Sequence, residues 1–274
     1  MPANLAIYQE SAGRWFWLVA TNGAVQSGAA LGGTGYLPVP GDYDGDRHTD
    51  LAVYQALSGL WLVRLSSQPA ADVSAILGGQ DCVPVPRDYD GDRLADPAVY
   101  AALFGVWQVL LSGSDYARLT LSGFGAAGYA AVPADYDADG KADPALYSSL
   151  GQVCFVLLSG SGYSLVATGF GALGYESVAA DYDGDGRTDL AVYSETSGVW
   201  VLGLSTRGYA QETLFWGGAG SAPVPGDYDG DGQADICVYQ SGTGMWLALL
   251  TGSSLAPAFV QFGGPGYSAV GAIR

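Results

Sequence analysis

One stretch constrains this chain more than any other: Asp42-Tyr43-Asp44-Gly45-Asp46-Arg47-His48-Thr49-Asp50, followed at once by Leu51-Ala52-Val53-Tyr54. It returns with first aspartates at 88, 135, 181 and 227, so successive copies lie 46, 47, 46 and 46 residues apart. Carboxylates at loop positions 1, 3, 5 and 9 converge when the backbone curls, and a cluster of four anions needs a cation. Oxygen donors suit hard divalent ions, and calcium takes roughly six to eight of them at about 2.3–2.6 Å. Magnesium favours fewer protein ligands, so the pattern predicts up to five bound calcium ions.

The predicted ligands of the five loops follow from this register. Carboxylates come from positions 1, 3, 5 and 9, and a backbone carbonyl from position 7. They are Asp42, Asp44, Asp46, His48 and Asp50, then Asp88, Asp90, Asp92, Leu94 and Asp96. The third set is Asp135, Asp137, Asp139, Lys141 and Asp143, and the fourth Asp181, Asp183, Asp185, Arg187 and Asp189. Asp227, Asp229, Asp231, Gln233 and Asp235 complete the series. An EF-hand begins in the same way, but no glutamate stands at position 12 and strand-forming residues replace the following helix. An ordinary Asp-Gly hairpin turn requires one aspartate, not four at fixed offsets. Position 6 is Gly140, Gly186 and Gly232 in the last three loops but Arg47 and Arg93 in the first two. The sharp turn there favours glycine, so the first two loops are expected to bind more weakly.

Other features keep step with the loops. Tyr8, Tyr54, Tyr100, Tyr147, Tyr193 and Tyr239 end the apolar runs, and seven residues later come Trp15, Trp61, Trp107, Cys154, Trp200 and Trp246. Each unit holds four strand-like segments; in the first whole unit these are 36–40, 50–55, 59–65 and 71–77, separated by turn residues. A period of 40 to 50 residues with four strands is the signature of a propeller blade. The chain begins partway through a unit and ends with the part that the first unit lacks. The expected fold is therefore all-β: a six-bladed β-propeller of four-stranded blades, one of them completed by pairing of the N- and C-terminal strands. As a single domain over 1–274 it has repeats at about 35–80, 81–127, 128–173, 174–219 and 220–265, and a closing blade of 1–34 plus 266–274.

The pattern seen in Asp181-Tyr182-Asp183-Gly184-Asp185-Gly186-Arg187-Thr188-Asp189-Leu190-Ala191-Val192-Tyr193 resembles the FG-GAP and VCBS-type repeats of bacterial surface proteins. It is also similar to the calcium-loop blades of the integrin alpha propeller. This resemblance implies a calcium-binding propeller at the cell surface or outside the cell, serving as a scaffold or recognition module of the adhesion type. A carbohydrate-binding propeller is the alternative, and the propeller of a polysaccharide-degrading enzyme a third, since a fold does not fix a function.

Composition narrows the partners. The formal charge is −17, but 20 of the 23 aspartates lie in the five loops, so five divalent ions would bring it to −7. With one lysine and no basic stripe, nucleic acid is not an expected partner; calcium is, together with an extracellular protein or glycan. No apolar run reaches the length of a membrane span, and no signal peptide is read at the start. The three cysteines occupy different repeat positions and are expected to be free. His48 is the sole histidine, Glu10, Glu176, Glu195 and Glu212 are scattered, and no nucleophile elbow is present, so the chain is expected not to be an enzyme. The Tyr and Trp series is expected to pack between blades, leaving Trp17, Tyr116, Tyr163, Tyr209 and Phe215 as candidates for exposed contacts.

Overall fold

A computed structural model describes residues 2–28 and 30–273. The expected outer limits of the closing blade, 1 and 274, lie outside the described residues. Six four-stranded antiparallel sheets give a six-bladed β-propeller. The first blade runs Tyr36–Pro38, Leu51–Gln55, Leu60–Arg64 and Asp72–Ile76, each within two residues of the segments that turn chemistry marks out. Its first strand is a short sheet edge, where Pro38 needs no amide partner; Pro84 and Pro223 stand at the same place in the second and fifth blades.

Blades one to three lie in one compact unit, Ala30–Ser148 and Val153–Thr168. The fourth, fifth and closing blades lie in the other, Met1–Ala29, Ser149–Gln152 and Gly169–Arg274. In the closing blade the C-terminal strand Ser268–Ile273 pairs antiparallel with Asn4–Gln9, placing Tyr8 opposite Ser268 and Ile7 opposite Ala269. The complementary chain ends thus form one sheet, as their sequences predict.

Burial explains the recurring aromatics. Tyr54 and Trp61 are directly opposite across the second and third strands, with ring centroids 5.0 Å apart and both residues fully buried. The pairs Tyr100–Trp107, Tyr193–Trp200 and Tyr239–Trp246 repeat this at 4.8–4.9 Å. Tilted aromatic pairs of this kind add to the burial term. The tyrosine hydroxyl also sets the glycine that ends a unit, at Gly78, Gly125, Gly217 and Gly263: the Gly79 amide donates to Tyr54 Oη at 2.9 Å, and a Cβ on Gly78 would come within 2.8 Å of that oxygen. Packing, not ligand contact, accounts for the series. Tyr116 and Phe215 are exposed, whereas Trp17, Tyr163 and Tyr209 are half-buried. Cys82, Cys154 and Cys237 are free; Cys154 and Cys237 are buried and Cys82 half-buried. Burial pushes the Cys154 thiol up to about 12, which keeps it protonated and inert at neutral pH.

Candidate metal centres

Each acidic loop joins the first and second strands of a blade and is closed at its base by an antiparallel bridge, such as Gly41 with Asp50 or Ala180 with Asp189. Four carboxylates in a nine-residue loop would repel one another, and the backbone answers by turning its amides inward. The position 4 amide donates to Oδ1 of position 1, at 2.6–2.7 Å in all five loops. The position 7 amide donates to Oδ1 of position 5 at 2.8 Å in each. These turns require positive φ at positions 4 and 6. Gly45 at 84° and Gly186 at 84° meet that demand freely, whereas Arg47 (67°), Arg93 (73°) and Ala138 (61°) adopt it with a Cβ.

Position 9 is different in kind. Asp50, Asp96, Asp143, Asp189 and Asp235 are fully buried. Asp189 takes the Tyr182 amide on Oδ2 at 2.8 Å and the Ser205 amide on Oδ1 at 2.7 Å. Desolvation pushes Asp50, Asp96, Asp143 and Asp189 above the ordinary carboxylate value, with those amide bonds opposing the shift. At position 5, Asp185 is exposed and Asp46 half-buried, and both are held below that value, first by the hydroxyls of Ser205 and Ser66.

Two columns of residues contribute that loop spacing alone does not reveal. The first is Ser66, Ser112, Ser159, Ser205 and Thr251, at the end of each third strand. Its amide reaches position 9 at 2.6–2.8 Å, and its hydroxyl reaches position 5, as in Ser205 Oγ to Asp185 Oδ2 at 2.6 Å. Recurrence of Ser or Thr sixteen residues after each position 9 is the signal that could have found it. The closing blade has no such loop. There Asn4 and Ala20 occupy the two positions, and the Ala20 amide still donates to Asn4 Oδ1 at 3.0 Å. A neutral amide suffices for the structural bond, so the carboxylate and hydroxyl accompany the loop itself. The second column is position 2: Tyr43, Tyr89, Tyr136, Tyr182 and Tyr228 plug into the blade and donate to the carbonyl four residues earlier at 2.6–2.9 Å.

The predicted ligands do not all converge alike. Oxygens of positions 1, 3 and 9 come within 4.8 Å of one another in the first four loops: Asp42, Asp44, Asp50; Asp88, Asp90, Asp96; Asp135, Asp137, Asp143; Asp181, Asp183, Asp189. In the fifth the group is Asp227, Asp229 and Asp231. Position 5 of the first four loops, Asp46, Asp92, Asp139 and Asp185, is turned to the serine hydroxyl instead. Position 7, His48, Leu94, Lys141, Arg187 and Gln233, offers its amide to position 5.

Loop-to-loop bonds link adjacent blades. The Ala95 amide donates to the Asp42 carbonyl at 2.6 Å, Ala142 to Asp88 at 2.6 Å, Ala234 to Asp181 at 2.7 Å, and Ala3 to Asp227 at 2.9 Å. Each donor holds position 8 of the following unit.

Residues 181–238 match the FG-GAP-like repeat family. This FG-GAP-like repeat takes in the whole fourth loop and the whole fifth, and the same Asp spacing recurs in the three earlier loops. A search of curated proteins finds no significant match. Among solved structures, a streptogramin B lyase is similar at 9% identity and TM-score 0.60, over 96% of this chain and 81% of its own. A lectin of Agrocybe aegerita that recognises non-reducing terminal N-acetylglucosamine gives 13% and 0.58, over 99% and 90%. Apo AztD from Citrobacter koseri gives 11% and 0.51, over 98% of each chain. An enzyme and a lectin share the fold, which therefore does not decide between catalysis and binding. Glu176 is exposed, and desolvation followed by repulsion from Glu195 raises its pKa. No helix among the described residues is long and apolar enough to cross a membrane.

The donor set fits a hard cation. All side-chain donors are carboxylate oxygens, and an oxygen that accepts one amide bond retains a second lone pair. Arg47→Gly and Arg93→Gly are each expected to stabilise the protein by about 1 kcal/mol, the cost of a left-handed non-glycine residue. Thermal melts of the two variants in calcium check this, and unchanged melting temperatures would remove the ranking of the loops.

Proposed function

We propose that the five loops bind calcium and that the propeller is an extracellular recognition scaffold. The observation that carries this reading is the repeated convergence of three aspartates, each time on a loop whose amides already point at the carboxylates. Asp42, Asp88, Asp135, Asp181 and Asp227 and their partners at positions 3, 5 and 9 would hold the ions, with the position 7 carbonyls. The ion supplies positive charge that offsets carboxylate repulsion and holds the hairpin in shape. Interloop bonds between adjacent blades pass that rigidity along the chain. Isothermal titration with calcium tests the reading: binding of up to five ions supports it, and no binding at millimolar calcium rejects it. A glycan array run in calcium distinguishes a protein-binding scaffold from a carbohydrate-binding one.

Proton linkage gives a second check. The folded-state pKa of the four position 9 carboxylates named above is raised, so ionisation of these groups disfavours the ion-free fold. Their contribution is fully present below the ordinary value of 3.8 and is lost as pH rises through the raised values. Asp46 and Asp185 act oppositely but are reached by solvent and screened. Between neutral pH and about pH 5, the chelated protein is expected to melt higher as pH falls, and the calcium-loaded protein lower, because protons compete with the ion. Melting curves of the same sign in both conditions would contradict this.

A further inference from the structure

Positions 7 and 8 of an acidic loop also form part of the wall of the loop before it. The Ala95 amide of the second loop and the Ala142 amide of the third donate to the Asp42 and Asp88 carbonyls at 2.6 Å, and the Ala234 amide of the fifth donates to the Asp181 carbonyl at 2.7 Å. The donor is position 8 and the acceptor position 1 of the preceding loop. The side chain at position 7 rests on the same neighbour. A Cβ on Gly45 would come within 2.9 Å of Leu94 Cδ2, one on Gly91 within 3.2 Å of Lys141 Cε, and one on Gly184 within 3.1 Å of Gln233 Cγ. Position 4 of the earlier loop is thus covered by position 7 of the later one.

Both contacts come from one peptide group. In a trans peptide the carbonyl and the N–H point in opposite directions, and none among the described residues is cis. The Ala95 N–H points at the first loop, so the Leu94 carbonyl is turned away from it, toward the second loop, for which it is the position 7 donor. Lys141–Ala142 and Gln233–Ala234 stand alike. A cation held by that carbonyl polarises the peptide and makes its N–H a stronger donor. It also fixes the segment that walls the preceding loop, whose ordering then costs less when its own ion arrives.

We propose that adjacent loops bind calcium with positive cooperativity through this shared peptide. The inference rests on the calcium reading above and adds regulation to it. Two series follow, the first to third loops and the fourth with the fifth. The fifth ends its series: the amide on the Asp227 carbonyl is that of Ala3, at 2.9 Å, and the closing blade has no acidic loop behind it. Such coupling is reciprocal and commonly amounts to about 5- to 150-fold in affinity. Repulsion between neighbouring ions opposes it and is screened by salt.

The test uses the full chain labelled with nitrogen-15 at glycine and alanine, so that Gly184 and Gly186 report the fourth loop and Gly230 and Gly232 the fifth. Calcium titrations at physiological salt follow these amides in the native protein, in Asp229→Ala, which strips a donor from the fifth loop, and in Asp183→Ala, which strips one from the fourth. Asp229→Ala is expected to lower the calcium affinity of the fourth loop at least about fivefold, and Asp183→Ala that of the fifth by the same factor. Asp44→Ala, in the first loop, is expected to leave both unchanged. In Asp183→Ala the Ala234 amide proton is expected to move downfield as the fifth loop fills, the sign of a stronger bond to Asp181. Affinities that hold or rise when the neighbour is disabled, an equal loss in Asp44→Ala, or an unmoved Ala234 proton would overturn the coupling and leave the calcium reading standing. Glycine signals that ignore millimolar calcium in the native protein would overturn both.

Discussion

Chelation with EDTA is expected to lower the melting temperature of this protein by at least ~10 °C. Binding to the folded state alone adds RT ln(1 + [L]/Kd), about 2.7 kcal/mol per site at a hundredfold excess over Kd. Two filled loops therefore contribute about 5 kcal/mol, and in a domain of this size each kcal/mol moves the midpoint by about 2–4 °C. Five filled loops would rival the roughly 5–15 kcal/mol of an ordinary domain. Removing the ions also exposes the mutual repulsion of the aspartates in each loop. Bonds such as Ala234 to Asp181 and Ala3 to Asp227 would carry the loss to the neighbouring blade. Differential scanning calorimetry with and without the chelator measures the shift; identical midpoints would exclude a stabilising role for calcium.

The largest expected single-residue effect is at Asp189. Asp189→Ala removes the acceptor of two buried amides, those of Tyr182 and Ser205. Each orphaned donor costs about 1–3 kcal/mol, so the variant is expected to lose about 2–6 kcal/mol even in EDTA. Asp189→Asn keeps one carbonyl oxygen and sheds the buried charge, the arrangement that Asn4 already uses with Ala20. Its NH2 then faces the other amide, so in EDTA it is expected to lose about 1–3 kcal/mol, less than the alanine variant, and in calcium more, because the fourth loop loses a ligand. Denaturant titrations of both variants in the two buffers separate the roles. Equal stability of Asn and Ala in EDTA would mean that the amide bonds at this position contribute little.

Much of the fold was legible because the same demand is written six times. A Tyr, then seven residues later a Trp in five units and Cys154 in the other, and a closing glycine recur at one period; Tyr54 packs on Trp61 and its hydroxyl leaves no room for a Cβ at Gly78. The acidic loops were equally plain, as four aspartates at fixed offsets exceed what a turn requires. Less visible was the division of labour inside each loop. Position 9 is buried and bound by two amides, position 5 turns to a serine hydroxyl, and the fifth loop gathers Asp231 where the others gather position 9. That serine lies twenty residues beyond position 5, on the far side of a hairpin, so spacing within the loop carries no trace of it.

By itself, the sequence determined the number of blades, the strand count within each, the completion of one sheet by both chain ends and the place of the acidic loops. These follow from periodicity, which is a property of the chain alone. Tertiary structure decided which carboxylates meet, which hydroxyls serve them, and that Trp61 alone among the described residues leaves a buried indole N–H without an acceptor. The reason is that these depend on cross-strand partners and on the volume of the residue opposite, as with Ala75 facing Trp61 where Leu121 faces Trp107.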